Sequence, residues 1–108
     1  MRTLRTASRA DRDIIDEAVW FEQKQPALGA DFLDAVDRAL ARILERPLSC
    51  PTLTIPSVNL KVELRWLRIG HFSHIAIFEV TDDEVVVYGV VDPRRDLEPL
   101  LIDRIGIR

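Results

Sequence analysis

Residues 73–91, Ser73-His74-Ile75-Ala76-Ile77-Phe78-Glu79-Val80-Thr81-Asp82-Asp83-Glu84-Val85-Val86-Val87-Tyr88-Gly89-Val90-Val91, hold two β-branched and aromatic runs on either side of three polar residues. A connection that short forces antiparallel neighbours, so strands are predicted over 73–80 and 84–91. Alternation puts Ile75 and Ile77 on one face and Ala76, Phe78 and Val80 on the other. In the second strand Val85, Val87 and Val91 oppose Val86, Tyr88 and Val90. Both faces of this pair are apolar, which places it inside a sheet covered on two sides.

Working outward, Leu60 to Ile69 is a third strand-like run, joined to the pair through Gly70-His71, and the three make a meander. Downstream the meander leaves through Val91-Asp92-Pro93-Arg94-Arg95-Asp96. Asp96 can cap a short C-terminal helix, Pro99 is tolerated in its first turn, and Leu100, Leu101 and Ile105 can pack back. That helix, a partner protein laid across the strip, or both would cover the second face.

The first face belongs to a helical hairpin. Ser8 reads as an N-cap, with Asp11 in the first turn, and Ile14, Ile15, Ala18, Val19 and Phe21 form an apolar stripe, giving a helix over 8–24. Gln25-Pro26-Ala27-Leu28-Gly29 breaks it. Phe32, Leu33, Val36, Leu40, Ile43 and Leu44 define a second helix, with Asp34, Asp37, Arg38 and Arg42 outward and Pro47 at its end. Arg2 to Thr6 suits an edge strand, and the proline-rich stretch from Pro47 to Pro56 an irregular connector. The expected class is α+β in the order β-α-α-β-β-β, a helical hairpin on an antiparallel sheet with a short C-terminal helix, within one domain over 1–108.

Composition narrows the function. The 108 residues are 47% hydrophobic and 31% charged, enough to bury roughly two-thirds of the unfolded chain's surface without staples. No run approaches the roughly 20 apolar residues of a membrane span, and the basic Met1-Arg2-Thr3-Leu4-Arg5 lacks the apolar core of a signal peptide; a cytoplasmic location is expected. A net charge of −3 disfavours sequence-independent binding to nucleic acid, which requires several neutralised phosphates. Cys50 stands alone, so no internal disulfide or cysteine metal cluster forms, and it reads as a buried thiol. No phosphate-cradling glycine loop is present, and His71 and His74 lack partners at metal-ligand spacing; neither cofactor nor metal is expected.

Chemistry, if there is any, lies on the meander and its exit: Arg65, Arg68, His71, His74, Tyr88, Arg94 and Arg95. Arginines holding a phosphate beside a histidine or tyrosine that carries a proton would make a metal-free ribonuclease. Arg65 and Arg68, three apart in a strand, should point to opposite faces. The competing reading pairs these arginines with Glu63, Glu79, Asp92 or Asp96 in surface salt bridges.

The order of elements coincides with local motifs. Asp13-Ile14-Ile15-Asp16-Glu17-Ala18-Val19-Trp20-Phe21-Glu22, Leu28-Gly29 with Phe32-Leu33, Ile43 with Pro47 and Pro51, His71-Phe72-Ser73-His74-Ile75-Ala76-Ile77-Phe78, and Val90-Val91-Asp92-Pro93-Arg94-Arg95-Asp96 run nearly end to end. Together the chain resembles the RelE/ParE superfamily of toxins from type II toxin-antitoxin systems, closer to the ParE branch of plasmid-stabilisation proteins. Ser73 and His74 stand where that pattern has Pro and Tyr, Asp92 where it has His, and Leu97 where it has Pro.

The resemblance implies a non-enzymatic toxin that binds and inhibits DNA gyrase, with Arg94, Arg95 and the C-terminal helix as target contacts. A RelE-type ribosome-dependent mRNA endoribonuclease is the alternative, with Arg65 or Arg68 on the phosphate and His74 or Tyr88 moving the proton; a carboxylate at Asp92 counts against it. A decayed toxin acting only as an interaction module is a third reading. Either toxin reading implies a hetero-oligomer with a cognate antitoxin, whose disordered segment would fold over the apolar sheet face at Trp66, Phe78 and Tyr88.

Overall fold

A computed structural model describes every residue from Met1 to Arg108. The elements are β1 (Thr3–Thr6), α1 (Ser8–Lys24), α2 (Leu28–Glu45), a 3-10 turn (Pro47–Ser49), β2 (Thr52–Leu53), β3 (Leu64–Arg68), β4 (Ile75–Val80), β5 (Glu84–Val91) and α3 (Leu97–Ile105). The strands form one sheet in the order β1-β5-β4-β3-β2. The helical hairpin lies on one face and α3 on the other, so the fold is α+β and RelE/ParE-like.

The sheet is mixed rather than antiparallel. β1 runs parallel to β5, with Leu4 opposite Val85 and Thr6 opposite Val87, because the whole helical hairpin and meander separate the two strands and lift the constraint of a tight turn. A fifth strand, β2, forms inside the proline-rich connector by pairing Thr52 and Leu53 with Arg65 and Leu64. The third run is strand only over Leu64–Arg68; its earlier half is irregular and follows Ser57, which sits at φ 69°.

Strand β5 also departs from simple alternation. Ile77 pairs with Gly89 but Phe78 pairs with Val87, leaving Tyr88 as an extra residue in a β-bulge. Beyond it the faces exchange. Val90 joins Val85 and Val87 under the helices, whereas Val91 joins Ile75, Ile77, Leu64 and Leu101 beneath α3, the reverse of the alternation expected for Val90 and Val91. β4 keeps its expected faces.

The helix-side core is built on Phe32, Ile43, Phe72, Ala76 and Phe78, each large side chain contributing about 1.5–3 kcal/mol on burial. The expected stripes are wider than the buried ones. Ile15 and Val19 are exposed on α1, and Leu33 and Leu44 on α2, because Ala10, Ile14, Ala18 and Phe21 already fill the inward arc of α1. The first residue of α1 is Ser8, so the capping position is Ala7, without a side-chain cap.

The hairpin turn is strained and held. Ala27 lies at φ 73°, a left-handed conformation costly for a residue with a Cβ. Glu22 compensates by accepting hydrogen bonds from the backbone N–H groups of Ala27 and Gly29, both at 3.0 Å. Gly29 lets the helices touch: a Cβ there would lie 2.5 Å from the Ala18 carbonyl oxygen.

After β1 ends, the exposed edge of β5 is closed by side chains. Asp13 of α1 accepts from Val90 N–H at 3.0 Å, while Arg104 of α3 donates to Tyr88 C=O at 3.1 Å. The two are joined as a bidentate ion pair at 2.5 and 2.9 Å, with side chains 12% and 8% exposed. One pair thus fastens α1, α3 and the bulged edge. No helix is long and apolar enough to cross a membrane.

Candidate functional site

The polar groups gather where α1 passes the start of β4 and the exit of β5. Asp16, Glu17 and Trp20 stand at i, i+1 and i+4 on α1, which sets them on adjoining positions of one helix face. Ser73 and His74 lead into β4, and Asp92 and Arg94 follow β5; together they line a cleft of about 570 Å³. The bulge makes this possible. By reversing the alternation it turns Asp92 toward the side of the sheet where His74 and α1 lie.

His74 forms the floor. Its ring lies 5.5 Å from Phe21 and 5.4 Å from Phe32, both edge-on, and its side chain is 6% exposed. Nε2 lies 3.1 Å from Glu17 Oε2, while Nδ1 is buried without a partner. At the rim, Arg94 forks onto Asp92: Nε lies 3.0 Å from Oδ1, Nη2 lies 2.5 Å from Oδ2, and the Arg94 backbone N–H adds a bond of 3.0 Å. These bonds hold the Asp92 carboxyl well below the usual carboxylate range, the guanidinium contributing most.

A nucleophile and base are not assembled here. Ser73 Oγ donates to Asp92 Oδ2 at 3.4 Å, not to an imidazole, and His74 is committed to Glu17. Nowhere do three His, Cys, Asp or Glu side chains converge in a metal-holding arrangement. The cleft offers carboxylates, an indole and an imidazole.

The sequence-derived ribonuclease set is dispersed. Arg65 donates to Cys50 C=O at 2.6 Å and meets Glu63 at 3.4 Å, clamping the connector to β3. Arg68 donates to Phe72 C=O at 2.7 Å and His71 C=O at 3.3 Å, holding the β3–β4 turn. Tyr88 packs on the α3 side of the sheet and donates to Glu79 at 2.8 Å, whereas His74 lies against Phe21 and Phe32 on the helix side. Burial, then the Glu79 bond, push the Tyr88 phenol up to about 12.

Of the salt bridges expected for these arginines, Arg65–Glu63 and Arg94–Asp92 form, while Glu79 takes the tyrosine. Arg95 is exposed, bonding Asp92 C=O only through its backbone N–H, at 3.0 Å. Trp66 and Tyr88 are half-buried beside α3, but Phe78 is fully buried beneath the helical hairpin. A partner cannot touch Phe78 without lifting that hairpin, which removes it from any surface set. Cys50 is buried, and burial raises its thiol pKa.

Sequence reasoning passed over Asp16, Glu17 and Trp20 as a site, and Asp13 with Arg104 as a clamp. The helical spacing of Asp16, Glu17 and Trp20 was a usable signal; the pairing of Asp13 with a residue 91 positions away had none.

A family model described as the ParE toxin of type II toxin-antitoxin system, parDE, matches residues 4–97. No curated protein matches the chain.

Proposed function

The chain belongs to the ParE toxins of type II toxin-antitoxin systems, and from that membership we propose that it is a non-enzymatic toxin that binds and inhibits DNA gyrase and is neutralised by a cognate antitoxin. The observation that carries the choice of binding over RNA cleavage is that each candidate proton carrier is already engaged, His74 Nε2 lying 3.1 Å from Glu17 and Tyr88 donating to Glu79 at 2.8 Å. The guanidinium groups of Arg65 and Arg68 are meanwhile spent on backbone carbonyls. A proton carrier must stand within hydrogen-bond reach of the reacting group, and the phosphate clamp must share that site. A net charge of −3 works in the same direction, against docking on ribosomal RNA.

In this reading Arg94 and Arg95, on the exposed exit between β5 and α3, contact the target. Trp66 and Tyr88, at the margin of α3, contact the antitoxin. Purified chain added to a supercoiling assay is expected to block gyrase, with Arg95→Ala weakening the block. Supercoiling that is unaffected at large molar excess refutes the proposal. Cuts mapped within translated codons after induction would replace it with ribonuclease action.

A further inference from the structure

The unpaired charge on the α1 side of the cleft is carboxylate. Asp16 is exposed and forms no ion pair; Glu17 engages only one oxygen, through His74. His74, whose Nε2 faces Glu17 at 3.1 Å, keeps Nδ1 buried without a hydrogen-bond partner. The carboxylate oxygens left over are acceptors, and Arg94, the cation that lines the cleft, is already bound to Asp92.

Beside them stands Trp20, 49% exposed, with Lys24 Nζ 4.9 Å from its ring centroid. Cations favour an indole face. A lysine would satisfy the charge, but its ammonium is a compact point donor. A guanidinium presents five N–H donors in a plane that can stack on the indole while its edge meets two carboxylates. A water can relay one of those donors to the recessed Nδ1. Phosphates and acidic segments are repelled by the same carboxylates, and the net charge of −3 favours a basic partner at longer range.

We infer that the cleft formed by Asp16, Glu17, Trp20 and His74 receives an arginine side chain of the antitoxin. The assignment of the partner rests on the toxin reading; the chemistry of the cleft does not. Its test uses the full chain and N-acetyl-arginine amide, followed by NMR at the Trp20 indole and His74 ring, with the citrulline amide as uncharged isostere. The arginine compound is expected to shift both signals saturably, the citrulline compound to shift neither, and the Trp66 indole on the opposite sheet face to stay unmoved. Asp16→Asn, at an exposed side chain with no hydrogen bond or ion pair, should weaken the response several-fold, and Glu17→Gln should weaken it about tenfold.

No saturable shift, or equal shifts with citrulline, overturns the inference. The second arm measures affinity for the protein encoded in the adjacent reading frame. A drop of about tenfold in Asp16→Asn plus Glu17→Gln, restored by reversing charge at one arginine of the partner and at Asp16 together, confirms the antitoxin as source. An unchanged affinity overturns that source. If the unsubstituted chain does not bind the neighbouring protein at all, the toxin reading and the assigned partner fall together, while the amide titration still decides the cleft chemistry.

Discussion

Replacing Asp13 by alanine should come close to unfolding the protein. The carboxylate accepts two bonds from Arg104 and one from Val90 N–H, and both side chains are about nine-tenths buried. Truncating one partner of a buried pair costs about 3–5 kcal/mol, chiefly because the other charge is left uncompensated. Arg104 has little reserve, since its Nε is already buried without a partner. The orphaned Val90 N–H adds a penalty of about 1–3 kcal/mol that partly overlaps the first. A combined loss of about 4–5 kcal/mol compares with a total of roughly 5–15 kcal/mol for a domain of this size.

In urea, followed by circular dichroism, the midpoint should fall by about 2 M for a slope of about 2 kcal/mol/M. Asp13→Asn keeps an acceptor for Val90 and should cost about half as much. Asp13→Ala and Arg104→Ala together should cost clearly less than the sum of the two, because each single change strands the other group. A loss below about 1 kcal/mol, the range of solvated surface pairs, or strict additivity of the two changes, would refute the clamp.

Further outcomes follow from local geometry. Tyr88 is the only tyrosine, so its ultraviolet titration should have a midpoint near 12 instead of the usual value near 10; a midpoint near 10 contradicts the half-buried Glu79 bond. Because the folded pKa is raised, the stability this phenol contributes is present below about pH 10 and is lost between about 10 and 12, and Tyr88→Phe should remove that loss from the pH profile of urea midpoints. Ala27→Gly should stabilise by about 0.5–1 kcal/mol, by relieving a left-handed Ala at φ 73°, whereas Gly29→Ala should destabilise by about 1–3 kcal/mol by forcing the hairpin helices apart; thermal melts separate these opposite signs.

Much of the fold was legible because its signals are local. The stripe and the proline break bounded α1 at residues 8–24, and the two apolar faces of residues 75–91 demanded a second covering layer, which α3 supplies with Leu101 and Ile105. What escaped depends on distant partners. Nothing near Tyr88 in sequence announces a bulge, since its neighbours are β-formers on both sides, so Val90 and Val91 were assigned to the wrong faces. β2 exists only because β3 is beside it. Arg65, Arg68 and Tyr88 looked like a reactive set because residue type was visible while their engagements with Cys50, Phe72 and Glu79 were not.

The extra residue at Tyr88 also sets a rule of parity for the chain. Deleting one residue from β5 would restore regular alternation and send Asp92 toward α3, emptying one wall of the α1 cleft without altering any residue in it. Deleting or inserting two would keep the wall and change only its height. Length changes in this strand should therefore be counted as odd or even before they are counted as large or small.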